Sequence, residues 1–318
     1  MTGTTHRIDS GGVHLHAVTE GNPEGPPLVL VHGYPDNHRV WDRVVAELAD
    51  EFWLVRYDVR GAGASSKPRR TRDYRLPYLA GDLQAVVDQL LPGRPFHLLA
   101  HDWGSIQSWE SVTTEPLNRR ILSFTSISGP SLDHVGHWLR SQWRNLRGGG
   151  TGRVLRQLQS SWYVFLFQLP VLPELAWQGG LDRLWPAYLR AREGVTDARR
   201  TECQKADGRF GVKLYRANFL PRLTRPAERH ARCPVQLLVP TQDHYVGPQV
   251  FEQLEQWVQS LTRRELSAPH WAPMTDADAI AAAVREFVGA QAVPGATAGK
   301  PATAPGPVAD PVRNQRVP

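Results

Sequence analysis

The segment Phe96–Glu110 (FHLLAHDWGSIQSWE) sets an acid where chemistry can use it. A mostly apolar run ends at Ala100 and a helical pattern begins after Gly104, with His101, Asp102 and Trp103 between them. Small residues on either side of a central side chain permit the tight strand-to-helix turn of a nucleophile elbow. Such a turn thrusts the central side chain above a sheet at a helix N-terminus. Serine is the usual occupant, and here the position holds aspartate. A carboxylate is already anionic at pH 7 and needs no base for a first attack. It is a poor nucleophile toward amides, but it can displace a leaving group in line at a saturated carbon. The product is an alkyl ester that water must then hydrolyse. A substrate for that sequence carries a strained or readily displaced group, an epoxide or a halide. The competing, structural role for Asp102 is to cap the helix that follows it.

Hydrolysis of an alkyl ester needs an activated water, hence a histidine oriented by a carboxylate. Among twelve histidines, His270 in ELSAPHWAP follows an apparent last strand and precedes the final helix. Asp243 in VQLLVPTQDHY lies past the end of the preceding strand. The order nucleophile, acid, histidine is that of the α/β-hydrolases. His6, His101 and His244 have no comparable placement. An oxyanion hole is expected from two backbone N–H groups, that of Trp103 and that of Tyr34 in LVLVHGYP, where Gly33 lets the chain turn closely and Pro35 fixes its direction.

The elements that must hold these residues can be read from periodicity. Residues 13–18 alternate after a Gly11-Gly12 turn, which predicts an antiparallel strand at a sheet edge. Leu28–Val31, Phe52–Tyr57, Phe96–Ala100, Ile121–Ile127 and Val235–Val239 are short apolar runs without strict alternation, as strands buried on both faces are. Helical patterns over 41–48, 79–91, 103–115, 249–258 and 276–288 separate or follow them. The expected fold class is α/β, a mostly parallel eight-stranded sheet with helices on both faces. Residues 1–129 and 233–289 form its two parts. Residues 130–232, with five tryptophans and no convincing strand, read as an inserted helical cap. Residues 290–318 are rich in Pro, Ala and Gly and read as a disordered tail.

With these residues in hand, the chain resembles an α/β-hydrolase of the epoxide hydrolase family. The motifs that carry the resemblance are His32-Gly33-Tyr34-Pro35, Asp58–Ser66 (DVRGAGASS), Ala100–Gly104, Asp243 and His270-Trp271, spanning about residues 10 to 288. It is similar, more closely, to the N-terminal hydrolase domain of bacterial proteins fused to a short-chain dehydrogenase/reductase. The resemblance implies that two cap tyrosines, Tyr163 in SWYVFLFQLP and Tyr215 in KLYRANF, hydrogen-bond the epoxide oxygen. It also implies that Tyr34, Pro35 and Trp103 contact substrate, and that no cofactor is required. The alternative is a haloalkane or haloacid dehalogenase with the same Asp102, the Trp103 indole holding the departing halide. A silent binding protein using the aromatic pocket is a third reading. Ala100, where many relatives have glycine, still meets the need for a small residue.

Composition narrows the partners. At 41% hydrophobic and 21% charged, the chain is neither disordered nor a coiled coil. Two distant cysteines indicate neither a disulfide framework nor a zinc site, and no metal is expected. No run approaches the roughly 18 apolar residues of a membrane span, so a cytoplasmic protein is expected. RGAGAS lacks the third glycine of a dinucleotide fingerprint, and Gly148–Gly152 lacks a P-loop lysine and reads as a flexible loop. The net charge of +6 is unevenly placed: residues 129–232 hold 18 Lys and Arg against 8 Asp and Glu. With no nucleic-acid-binding motif, that excess points away from nucleic acid and toward an apolar or amphiphilic epoxide and weak association with a membrane surface. The sequence does not fix the oligomeric state.

Overall fold

The computed structural model describes residues 3–144 and 150–291. The tail expected over 290–318 lies, from residue 292 on, outside the described residues. So do Gly148 and Gly149 of the expected glycine loop, whereas Gly150–Gly152 open a helix.

Strands β1 (Thr4–Ser10), β2 (Val13–Gly21), β3 (Pro27–Val31), β4 (Trp53–Tyr57), β5 (Phe96–His101), β6 (Ile121–Ile127), β7 (Val235–Pro240) and β8 (Leu261–Leu266) form one sheet in the order β1-β2-β4-β3-β5-β6-β7-β8. Pairing is antiparallel for β1–β2 and β2–β4 and parallel from β4 through β8. The runs without alternation are the central strands: β3, β5 and β7 are buried at every position. They can be so apolar because α1 (Asp42–Leu48) with α11 (Ala277–Gln291) packs on one face and α2 (Leu76–Leu90) with α3 (Trp103–Thr113) on the other. The alternating strand β2 is not the sheet edge. Residues 4–10, too polar to signal a strand alone, pair with residues 13–19 of it as β1.

Between β6 and β7 the described residues contain no strand. The insertion consists of α4 (Leu132–Arg144), α5 (Gly150–Ser160), α6 (Trp162–Gln168), α7 (Leu172–Ala176), α8 (Asp182–Glu193) and α9 (Gln204–Thr224). Its junction with the sheet layer is charged and half-buried. Arg222 of α9 donates to Glu110 of α3 at 2.9 Å and to Asp133 of α4 at 2.8 Å, and Arg229 sits 2.9 Å from Asp133. Both carboxylates are buried, so truncating an arginine would strand charge rather than remove a surface pair.

One expected helix is absent. Residues 249–258 form two short 3₁₀ turns, Pro248–Phe251 and Leu254–Gln256. Its apolar residues are buried as the periodicity implies, but Trp257 gives its carbonyl to the Ala231 N–H at 2.9 Å and stacks on His134. Tertiary anchoring has displaced the regular helix. A short α10 (Ala272–Thr275) precedes α11. Among the described residues no helix is long and apolar enough to cross a membrane.

The turn from β5 into α3 depends on three close approaches. A methyl group at Gly104 would overlap the Val31 carbonyl, one at Gly129 the Asp102 carbonyl, and one at Gly33 the Asp102 carboxylate. The expected outcome for Gly104→Ala, measured by denaturant unfolding, is a loss of about 3 kcal/mol or failure to fold, because the overlapping atom is backbone and cannot rotate away.

Candidate active site

Asp102 stands at the first position beyond β5 with φ 51° and ψ −124°, a conformation costly for any residue with a Cβ. It occupies the N-cap position of α3, yet its side chain makes none of the usual capping bonds. Instead the Tyr34 N–H donates to its Oδ1 at 2.7 Å, and the Trp103 N–H lies near enough to favour the ionised carboxylate. These are the two donors expected for an oxyanion hole, and both face the same carboxyl group.

The loop carrying Tyr34 is held by a buried histidine. His32 accepts the Val59 N–H on Nε2 at 2.9 Å, so its Nδ1–H donates to the Gly33 carbonyl at 2.8 Å. Burial lowers its pKa to about 4, which keeps the ring neutral for both bonds. Farther along, Asp58 accepts the His38 N–H at 2.9 Å, the His38 ring at 2.7 Å and the Ala64 N–H at 2.8 Å. Ligand atoms of His16, His38 and Asp58 lie within 4.8 Å of one another, but the carboxylate is already committed to these bonds. The DVRGAGASS segment is thus a brace for the oxyanion loop.

His270, four residues past β8, receives Asp243 on one side and faces Asp102 on the other. Its Nδ1 lies 2.9 Å from Asp243 Oδ2 and its Nε2 3.7 Å from Asp102 Oδ2. Asp243 Oδ1 accepts the N–H groups of Tyr245 and Val246 at 2.7 and 3.0 Å, fixing the carboxylate against the ring. Burial raises the pKa of Asp102 to about 6. Burial pulls His270 down, but Asp243, Asp102 and Glu193 together raise it to about 9. For Asp243, burial is more than offset by the His270 charge, and its carboxyl is held below the usual range.

Tyr34, Pro35, Asp102, Tyr163, Tyr215 and His270 line one cavity of about 390 Å³. Tyr163 and Tyr215 meet edge to face with ring centroids 6.0 Å apart, and burial raises both phenols well above their ordinary pKa. Both therefore stay protonated donors near neutral pH. A second cavity of about 470 Å³ adjoins the first, and Tyr163 and Tyr245 line both. A larger hollow of about 810 Å³ over Asp9, Arg60 and Asp88 lies away from these groups.

One expectation about an aromatic residue needs correction. The Trp103 ring does not line the cavity; it is buried beneath Tyr215 at a centroid distance of 4.9 Å, so only its backbone reaches the carboxylate. Of the five insertion tryptophans, only Trp162 and Trp185 line the cavity. Trp138 and Trp177 are buried as packing, with the Trp177 indole donating to the Tyr34 hydroxyl at 2.8 Å, and Trp143 is exposed.

Other residues at the site carried no usable sequence signal. Glu193, the last residue of α8, is buried and accepts the His270 N–H at 3.1 Å. It lies 77 positions from that partner, and nothing local marks it. Asp36 accepts the Trp271 indole N–H at 2.8 Å, with its pKa raised to about 7 by burial. Buried His101, its pKa lowered to about 3, donates from Nε2 to the His270 carbonyl at 2.9 Å. Tyr188 and Tyr245 hydrogen-bond to each other at the cavity wall. Proximity to Asp243 was the one available hint for Tyr245.

A family model described as the alpha/beta hydrolase fold matches residues 26–277. The chain is 40% identical over 294 residues to “Probable oxidoreductase EphD” of Mycobacterium tuberculosis, covering 88% of this chain and 48% of that protein. The chain thus spans about half the length of that relative. It is 26% identical over 298 residues to epoxide hydrolase 3 of Xenopus tropicalis, covering 89% and 76%. A crystal structure of a Bacillus megaterium epoxide hydrolase in complex with an inhibitor superposes with a TM-score of 0.74 at 21% identity, over 89% of this chain and all of that one. At that identity the match concerns the fold.

The electrostatics make a direct prediction. Asp243 stabilises the imidazolium, so Asp243→Asn lets His270 lose its proton at lower pH. An NMR titration of the ring nitrogens should place the midpoint near pH 9 in the parent and more than about one unit lower in the variant.

Proposed function

The chain belongs to the α/β-hydrolase family, and on that premise we propose that it hydrolyses epoxides to vicinal diols without a cofactor. The observation that carries this reading is one apolar cavity lined by an aspartate, a histidine and two tyrosines. In it, Asp102 attacks a ring carbon, and the carbon–oxygen bond breaks toward the opposite side. The released oxygen takes hydrogen bonds, then a proton, from Tyr163 and Tyr215. The bound product is an ester of Asp102.

Esterification cancels the Asp102 charge, one of those that hold the proton on His270. The ring proton then passes to the tyrosinate left by the first step, and the neutral imidazole can act as a base. It takes a proton from water, which attacks the ester carbonyl while the Tyr34 and Trp103 N–H groups hold the oxyanion. As the ester carbon–oxygen bond breaks, the diol oxygen takes the proton held on His270, and the regenerated Asp102 carboxyl gives its own proton to the ring, restoring the carboxylate and the imidazolium. Residues 130–232 act as the cap that closes the site, and the apolar walls of both cavities suit an apolar or amphiphilic epoxide. The relative named epoxide hydrolase 3 supports the same reading. Free Cys203 and Cys233 suit the reducing cytoplasm, which is part of the proposal.

Dehalogenation by the same nucleophile would have the Trp103 indole hold the halide. With that ring beneath Tyr215, the paired phenols are the better-placed partners for a leaving group, and they suit an oxygen. Diol formation measured beside halide release separates the two.

Asp102→Ala should abolish turnover. His270→Gln should complete only the first step, so mass spectrometry of the intact variant with substrate should show a stoichiometric adduct on Asp102; an unmodified protein would sink the two-step mechanism. Acting as general acids, Tyr163 and Tyr215 should each contribute about 10²-fold to kcat, measured with Tyr→Phe variants. On the acid side, kcat/KM should fall about tenfold per pH unit below about 6, as Asp102 gains a proton.

A further inference from the structure

An apolar stripe on a helix normally faces the core. Here one faces solvent. Leu155, Leu158, Trp162, Phe165 and Leu169 recur at steps of three and four along α5 and α6, and all five are exposed. The two helices keep one register across Ser161, whose N–H still bonds the Gln157 carbonyl at 2.9 Å. Val171, Leu172 and Leu175 around α7 and Leu184 of α8 extend the exposed apolar surface. Among the described residues, every exposed large apolar side chain except Tyr78 and Leu122 lies between residues 143 and 220.

The surface coincides with the openings of both cavities. Trp162 and Leu184 edge the Asp102 cavity, while Leu158, Phe165 and Leu220 edge the adjoining one. Along α4 to α8 its exposed charge is positive, the exposed acids of the insertion, Asp197, Glu202 and Glu228, lying beyond α8. Among the described residues from 134 to 192, the exposed charged side chains are Arg140, Arg144, Arg156, Arg183, Arg190 and Arg192. The two acids within that span are committed to arginines, Glu174 to Arg216 and Asp182 to Arg200, and Glu193 just beyond it is buried and holds His270.

We propose that this face of the insertion docks on an anionic lipid surface, setting the mouth of the Asp102 cavity against the bilayer so that an apolar epoxide enters without crossing water. Docking rests on the surface itself; delivery of an epoxide rests on the reaction proposed above. Exposed leucines and aromatics bury apolar area at the headgroup boundary, and the arginines meet lipid phosphates. A second copy of the chain is the weaker occupant, because a twofold contact through this face would set arginines against arginines.

The test is flotation of the full chain with vesicles of phosphatidylcholine alone or mixed with phosphatidylglycerol. The parent should float with the mixed vesicles at low salt, bind phosphatidylcholine far less, and be released as salt screens the attraction. Each arginine near the surface contributes about fivefold, so Arg144→Glu with Arg156→Glu should weaken binding by at least about 25-fold. Leu169→Ser with Leu175→Ser should weaken it about tenfold or more. None of these four side chains lines the catalytic cavity, so both variants should keep parental turnover of a water-soluble epoxide. Failure to float with mixed vesicles, or equal flotation with both compositions, overturns the proposal. So does a dimer in sedimentation equilibrium that the leucine variant dissolves, since a second copy would then cover the face. Vesicle binding without turnover of the soluble epoxide would overturn the reaction and leave the docking standing.

Discussion

A carboxylate held out of water at a strained backbone position is the constraint on which the rest of this structure depends. Asp102 adopts φ 51° at the end of a fully buried strand, and its side chain is nearly inaccessible. Such a conformation persists only where the surroundings over-determine it. Here they do so by subtraction: Gly33, Gly104 and Gly129 each leave a space that a methyl group would fill. The parallel strands β3, β5 and β6 bring those three glycines around one point, and the helices on both faces keep the strands from moving apart.

Burying that charge dictates the electrostatics around it. Asp243 and Asp102 flank the His270 ring, Glu193 takes its backbone N–H, and Asp36 lies near enough to feel its charge. Burial lifts the Asp102 carboxyl to about 6 even though the His270 charge favours its ionised form, while Asp243, Asp102 and Glu193 outweigh burial at His270 and hold its proton up to about 9. The arrangement responds to its own chemistry, because neutralising any one carboxylate weakens the grip on the His270 proton. It also joins the two parts of the molecule. Glu193 belongs to the insertion and His270 to the sheet layer, so the insertion reaches this histidine as well as lining the cavity.

The insertion divides its aromatic and basic residues by task. Trp138 and Trp177 pack inward, Trp162 and Trp185 wall the cavity, and Trp143 is exposed. The arginines divide likewise: Arg222 and Arg229 tie the insertion to Glu110 of the sheet layer and share its own Asp133, whereas Arg144, Arg156 and Arg183 face outward beside apolar side chains. A count of tryptophans or of charge cannot separate these roles, since each residue type does opposite work a few positions apart.

Local pattern was enough for the central strands, for the small residues about Asp102, and for the order of Asp102, Asp243 and His270, because those requirements are met by neighbours in the chain. It failed for β1, whose polar residues form a strand only by pairing with β2, and for 249–258, where the Trp257 carbonyl bonds Ala231 instead of continuing a helix. Residues beside Asp102 were easier to place than those that tune it. Glu193, Asp36 and His101 act on His270 through space, across loops and a helix end. Sequence by itself determined which residues can react and in what order they occur. Tertiary structure decided their protonation and access to substrate, because both depend on charge and volume contributed by distant segments once water is excluded.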